Sequence, residues 1–389
     1  MKHPHQTSSP ILLPSHRGLR ALLQEPSGIR ASLYVPVPPH PGFADQQQPE
    51  RVFSALTRDV EVALQGEDAE TAEMLRARLS TLKLNYAQFP KGTRTIAIFC
   101  GAHALYPFAL RIPVKERAHV GQIFAIQPLL MELQHNVHFR VLSLSQNQVT
   151  LYEGDWYGLQ ALEAPEVPAD IQAALGQDFG RAGQGIQAHS AGGQGAGTIL
   201  HGHGGSRENR EIDRDRFYTL IAHSVREQWA DRYDPLVLAA DSAHQGRFRL
   251  KARLAGLLSE GIEGDIERMR PEALHAQAWP IVARWRRLGI QKELDRAGEA
   301  MGHNRATADL PSLRAAASTG QVERLWMDAT YEWVGHPQPQ ETPDSGVAQE
   351  EDFRDILAAQ VVCSGGSVHV LEPGLLPSGS TLLGELRNA

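Results

Sequence analysis

The chain has 389 residues, 42% hydrophobic and 21% charged, with a formal net charge of −7, 35 glycines, 24 prolines and two cysteines. This is the composition of a globular chain of two to four domains. It excludes a collagenous or disordered protein, a disulfide framework (Cys100 and Cys363 stand alone) and, with no run near ~18 apolar residues, a membrane span. The acidic total also argues against a general nucleic-acid coat, although a local basic surface can still touch RNA. The opening MKHPHQTSSPILLPSHRG lacks the apolar core of a signal peptide, so a soluble cytoplasmic protein with no membrane partner is expected.

In chain order, LRALLQ from Leu19 reads as a short helix, and ASLYVPV (31–37) as a strand ended by Pro38–Pro39. Val52, Leu56, Val60 and Leu64 recur at i/i+4 and predict a helix over 51–64. A second helix is expected over 69–86 and a turn at Pro90–Gly92. TIAIFCG (95–101) is too short for a buried helix and reads as a buried strand. Strands near 105–112 and 122–126 and a helix near 129–133 complete an α/β unit of residues 1–135.

The pattern restarts with FRVLSLS (139–145), a turn at Gln146–Asn147 and QVTLYEGD (148–155), which together predict a hairpin. Between Gly176 and Gly205 there are 11 glycines in 30 residues, a density that predicts a long mobile loop over 176–206. Ile212, Phe217, Leu220, Ile221, Val225 and Trp229 follow at helical spacing, and PLVLAAD (235–241) reads as a buried strand. Helices through about Arg287 end this second α/β domain, set at 136–275. The third, 276–389, opens on a helix at 290–302. Asp309 is the expected cap of a helix that Gly320 closes, with a strand from Val322. Residues 335–351 read as a solvated linker, 353–361 as a helix and SVHVLE (367–372) as a strand. The fold class is thus α/β, in three consecutive domains.

Spacing alone assigns no reaction. His201-x-His203 near His189 has the alternation of a chelate but no partner fixed by spacing, so no metal is expected. The glycine tract lacks the Gly-Lys-Ser/Thr of a phosphate loop, and there is no Gly-x-Ser-x-Gly elbow or thiol signature, so no cofactor is expected either. The charged run Arg207–Arg216 reads first as a helix start laced with i/i+3 and i/i+4 ion pairs. Trp285, beside Arg284, Arg286 and Arg287, reads as a core residue with a solvated arginine face, the alternative being a base-stacking surface.

The layout resembles the archaeo-eukaryotic class-one peptide-chain release factors and Pelota, and within them bacterial archaeo-eukaryotic release factor family 3. The segments that carry the resemblance are ASLYVPV (31–37), TIAIFCG (95–101), QPLLMEL (127–133), FRVLSLSQNQVTLYEGD (139–155), HGHGGSRENREIDRDRFYTLIAHSVREQW (201–229), PLVLAADSAHQGRF (235–248), LPSLRAAASTGQVERLWM (310–327) and SGSTLLGELRN (378–388). The resemblance implies the ribosome as partner, through rRNA and tRNA, and a translational GTPase. It implies a loop tip at Gly204-Gly205-Ser206 where the family has Gly-Gly-Gln, with His201, His203, Gly204, Gly205, Arg207, Arg210 and Arg214 as the RNA-facing residues. A literal Gly192-Gly193-Gln194 lies upstream without the flanking motif, which leaves Gln194 as the alternative tip.

Two departures shape the expected function. The tip glutamine is replaced by Ser206, and the codon-reading loop expected near 64–75 is the acidic LQGEDAETAEML, which mRNA phosphates repel. A ribosome-associated factor of rescue, stalling or hibernation is therefore expected rather than a codon-directed terminator. The rivals are a codon-independent peptidyl-tRNA hydrolase and an interaction protein that kept the fold without the ribosome.

Overall fold

The computed structural model describes residues 10–39, 42, 45–176, 205–229, 234–303, 305–329 and 346–387. Among them no helix is long and apolar enough to cross a membrane. Two compact units form: Met1–His135 with Ile290–Ala389, and Asn136–Gly289.

The first unit begins with α1 (His16–Leu23), whose first turn is capped by the Ser15 hydroxyl accepting from the Gly18 N–H at 3.0 Å. Strand β1 (Arg30–Pro36) is central to an antiparallel sheet of order β3-β2-β1-β4, with β2 (Thr95–Cys100), β3 (Leu105–Leu110) and β4 (Arg117–Gly121). Helices α2 (Gln48–Ala63) and α3 (Ala69–Leu79) cover one face, burying Phe53, Leu56, Val60, Leu75 and Leu79 against Leu33, Val35, Ile96 and Ile98. Helix α3 stops at Leu79, short of the expected 86. Leu82 and Leu84 are both buried at two-residue spacing, which requires extended chain beyond Ser80. The fourth strand is 117–121 rather than 122–126. Ala125 and Ile126 give their N–H groups to the Ser32 hydroxyl (3.0 Å) and the Asp355 carboxylate (2.9 Å), not to a neighbouring strand, and lead into α4 (Gln127–His135).

The second unit is a five-stranded sheet of order β7-β6-β5-β8-β9. Strands β5 (Phe139–Leu144), β6 (Val149–Asp155) and β7 (Gly158–Leu162) form an antiparallel meander that contains the expected hairpin. After α5 (Ile171–Leu175) and α6 (Gly205–Gln228) comes β8 (Leu236–Ala239), parallel to β5. Helix α7 (Ser242–Ala252) then crosses to β9 (Leu257–Ile262), parallel to β8. Helices α6 and α7 bury Phe217, Ile221, Val225 and Phe248 against Leu142 and Leu238. The opposite face holds Val141, Val237 and Ile262 against Leu274, Ala278 and Val282 of α8 (Pro271–Met301). That single 31-residue helix replaces the two expected on either side of 287–290. Gly289 does not end it, and the exposed Pro280 costs only its own N–H bond and the strain of its ring. Most of the predicted loop 176–206 falls outside the described residues.

The remainder of the first unit contains β10 (Ala306–Thr307), α9 (Leu310–Ser318), β11 (Val322–Asp328), α10 (Gly346–Cys363), β12 (Ser367–Leu371) and β13 (Leu382–Leu386). Their sheet has the order β10-β13-β11-β12, with β11 parallel to β12. Asp309 caps α9 by accepting from the Ser312 N–H at 3.0 Å, and Gly320 closes it at φ +69°, both as expected. The expected linker overlaps α10, which is helical from Gly346.

Side chains of this last segment reach back to the first. Asp355, 2% exposed, accepts from the N–H groups of Ile126 (2.9 Å) and Gln127 (3.1 Å) at the start of α4. Gln134 of α4 accepts from the Val370 N–H at 2.8 Å, on β12. Three sheets with flanking helices make the protein mixed α/β, the expected class.

Candidate functional site

The sequence directs attention to the start of α6. Gln194, His201, His203 and Gly204 lie outside the described residues. Gly205, Ser206 and Arg207 open α6, so the second glycine of the tripeptide is the first helical residue. A helix leaves its first four N–H groups without intrahelical acceptors, and its aligned peptide dipoles make that end partly positive. Helix α6 is 24 residues long, about 36 Å at 1.5 Å per residue. Asp213 is its first buried described side chain, and Phe217, Tyr218, Ile221 and Val225 anchor the rest in the core. Arg210 is exposed, whereas Arg214 is half-buried. Ile212 (41%) and Leu220 (39%) are exposed although their spacing placed them on the apolar face. The buried stripe is the narrower set 217, 218, 221, 222, 225.

Helix α7 clamps α6 along its middle turns. Glu211 pairs with Arg247 at 3.0 Å and Asp215 with Lys251 at 3.0 Å. Between these pairs the Tyr218 hydroxyl bonds to Nδ1 of His244. Burial pushes the Tyr218 phenol up to about 12, against the pull of Arg214 and Arg247. Burial first, then Arg214, lowers the His244 imidazole. Each shift favours the neutral form, so Tyr218 keeps its proton and donates it to an unprotonated Nδ1. The pair is suited to holding the helix, and it supplies no charged acid or nucleophile. The spacing of charges anticipated ion pairs on α6, but their partners are on α7. The only sequence sign of that contact is Asp241, whose side chain caps α7 at the Ala243 N–H (2.9 Å) and sets His244 in its first turn. No group of three or more metal-ligating side chains occurs among the described residues.

The segment expected to carry a codon-reading loop is a tight connection. Residues Leu64–Gly66 form one 3-10 turn, and Asp68 caps α3 by accepting from the Thr71 N–H at 2.9 Å and its hydroxyl at 2.8 Å. Those bonds hold the Asp68 carboxyl below its ordinary value, so it is anionic at neutral pH. Arg76, the nearest cation on α3, is engaged by Glu73 at 2.7 Å and lies 3.7 Å from Glu61.

A helix that opens on the second glycine of a His-Gly-x-Gly-Gly motif, on the face of a sheet begun by the 139–155 hairpin, repeats the order of segments that suggested release factors. Residues 138–321 match the family model of bacterial archaeo-eukaryotic release factor family 3. The match takes in the five-stranded sheet and the elements from α6 to α9, ending just before β11, and it bears out the resemblance read from 139–155, 201–229 and 235–248. No curated protein matches the chain by sequence. Among solved structures, the chain is similar to the archaeal translation termination factor aRF1 (16% identity, 96% of this chain and 98% of that one, TM-score 0.25). It is similar also to Archaeoglobus fulgidus Pelota (11%, 98% and 93%, TM-score 0.35) and to S. cerevisiae Dom34, described as a translation termination-like factor that interacts with Hbs1 (13%, 74% and 73%, TM-score 0.32).

Proposed function

We propose that this release-factor-like chain is a translation factor that binds the ribosome without reading a stop codon, in rescue, stalling or hibernation. The observation that carries the codon-independent part is the connection between α2 and α3. It is short and capped, its Asp68 is held anionic, and Arg76 on α3 is already paired. An anionic corner placed near mRNA phosphates weakens binding for every codon alike. The family match over 138–321 supports the ribosome as partner. A translational GTPase that delivers the factor belongs to the same proposal, as do the contacts assigned to His201, His203, Gly204, Gly205, Arg207, Arg210 and Arg214. The test is co-sedimentation with 70S ribosomes programmed with stop or sense codons in the A site. Equal binding is expected; clearly tighter binding to stop-codon complexes overturns the proposal.

A second reading, peptidyl-tRNA hydrolysis, is favoured by one observation: α6 begins at Gly205, so its first N–H groups are available to an oxyanion. Ser206 is shorter than the family's glutamine and offers a hydroxyl in place of an amide. The loss of one positioned group at such a site typically costs about 10²–10³ in rate. Release of formyl-methionine from initiation complexes is therefore expected near background. Robust release abolished by Gly205→Ala makes the protein an enzyme, and release abolished by Gln194→Ala moves the tip to the upstream tripeptide.

A further inference from the structure

Trp285 of α8, expected in the core, is 41% exposed. A second departure from the sequence reading lies on the seam of α6 and α7. Arg214, expected to share the ion pairs of its run, has no hydrogen-bond or ion-pair partner among the described residues, and its Nε is buried without an acceptor. It stands one turn before Tyr218, on the stripe of α6 from which Glu211, Asp215 and Tyr218 reach α7. The neighbouring charges are committed. Glu211 takes Arg247, Asp215 takes Lys251, Asp241 accepts from the Ala243 N–H, and Arg226 donates to the Ala252 carbonyl at 2.9 Å. The charges of Arg214 and Arg247 both act on the Tyr218–His244 pair. A half-buried guanidinium is thus left uncompensated beside a second guanidinium and a neutral imidazole. By itself that costs the fold stability, because the buried N–H has given up water for no acceptor and the like charges repel.

We propose that Arg214, with Arg247 and His244, forms a binding site for a phosphate group at the seam of α6 and α7. The proposal deepens the ribosome reading above, which assigns Arg214 to RNA contact, and rests on it for RNA as the source of the phosphate; free inorganic phosphate has the same chemistry. A phosphate supplies the acceptor that the Arg214 Nε lacks and takes the guanidinium through two parallel N–H bonds. Its negative charge also offsets the two positive charges that, after burial, keep His244 neutral, so the imidazole gains a proton as the phosphate binds. That proton enters at Nδ1 and the bond to Tyr218 reverses, the phenol oxygen becoming the acceptor. The charged and titratable groups facing His244 are Tyr218 and Arg214 of α6 and Asp241 and Arg247 of α7, and of the three charges only Asp241 favours the protonated ring.

The test is a fluorescence-anisotropy titration of the full chain with a labelled oligouridylate at several salt concentrations, beside a thermal melt of each variant with and without inorganic phosphate. Arg214→Gln is expected to weaken oligouridylate binding about tenfold, the worth of one charge-assisted contact, and to lower the slope of log K against log salt by about 0.7. Its melting temperature should stay level or rise, because the substitution removes an uncompensated charge and breaks no bond. In the wild type, affinity is expected to increase from about pH 7.5 to about pH 6 by more than it does in His244→Asn. A melting temperature raised by inorganic phosphate in the wild type but not in Arg214→Gln assigns the free ion as the ligand; Arg214-dependent oligouridylate binding without that rise assigns RNA. Three results overturn the proposal: a wild type that responds to neither ligand, equal responses of wild type and Arg214→Gln, or an Arg214→Gln variant that melts lower in proportion to its lost affinity, which makes the arginine structural. Equal pH dependence in wild type and His244→Asn removes His244 from the site and overturns the proposal as stated. Ribosome pelleting of the wild type, run in parallel, decides the ribosome reading separately: Arg214-dependent binding in a protein that does not pellet keeps this site and removes that reading.

Discussion

Replacing Asp355 by alanine removes the acceptor shared by two backbone donors at the start of α4. Its carboxylate accepts from Ile126 at 2.9 Å and from Gln127 at 3.1 Å, and Asp355 and both donor residues are buried. A buried N–H left without an acceptor costs about 1–3 kcal/mol. The two share one cap, and water entering the space left by the carboxylate recovers part of the loss, so we expect about 3 kcal/mol. At roughly 2–4 °C per kcal/mol for a unit of this size, the melting temperature falls by about 6–12 °C. Asp355→Asn keeps a side-chain oxygen in place and should cost about 1 kcal/mol, the difference between a charged and a neutral acceptor. Differential scanning calorimetry of the two variants beside the wild type reads both numbers. An Asp355→Ala transition within 1 °C of wild type, or an asparagine variant as damaged as the alanine one, refutes the assignment of this carboxylate as a helix cap.

Three further outcomes are expected. Gly261→Ala places a methyl 2.6 Å from the Leu238 carbonyl and 2.4 Å from the Gln245 amide, so urea titration should show a loss of about 1–3 kcal/mol. Because folding lowers the His244 imidazole, the unfolded chain binds a proton first as pH drops. Stability is then full above about 6.5 and declines below it until the lowered folded value is passed, and His244→Asn should flatten that decline in urea titrations from pH 8 to 5. Ser206→Gln should raise formyl-methionine release above the wild-type background if the tip residue is what limits hydrolysis; no change in a variant that still pellets with ribosomes counts against that account.

The sequence was most legible where one side of an element faces a continuous core. TIAIFCG is buried at every position of its strand, and the 139–155 hairpin shows its turn in Gln146–Asn147. It was least legible where polar residues form an edge or where tertiary packing overrides a break signal. Strand β4, RAHVG, is half-buried throughout and has no apolar alternation, so the apolar residues just after it drew the assignment. Helix α8 runs through Gly289, where one expected helix ends and the next begins, because Val282 on one side and Leu294 and Ala297 on the other are buried. Strand β13 carries Glu385, which accepts from the Trp326 indole at 2.9 Å and pairs with Arg324 at 3.0 Å. A buried partner of that kind belongs to another segment and leaves no local pattern. The Tyr218–His244 contact was hidden for the same reason, since its two halves sit 26 residues apart on different helices. The loop tip expected at Gly204-Gly205-Ser206 rests on the motif alone, because glycine has no side chain whose burial could be anticipated.

The bonds from Asp355 to Ile126 and Gln127 span 229 and 228 residues of chain. A ribosome adding about 5–20 residues per second takes roughly 10–50 s to traverse that distance. During that interval the first 135 residues are already synthesised, while the helix that satisfies the start of α4 has not been made. The stretch 136–289 is continuous, and its sheet can close as soon as β9 and the first half of α8 have emerged. The middle of this protein therefore completes before its beginning does. The two donors at the start of α4, the N–H groups of Ile126 and Gln127, stay without their Asp355 acceptor until the last hundred residues arrive.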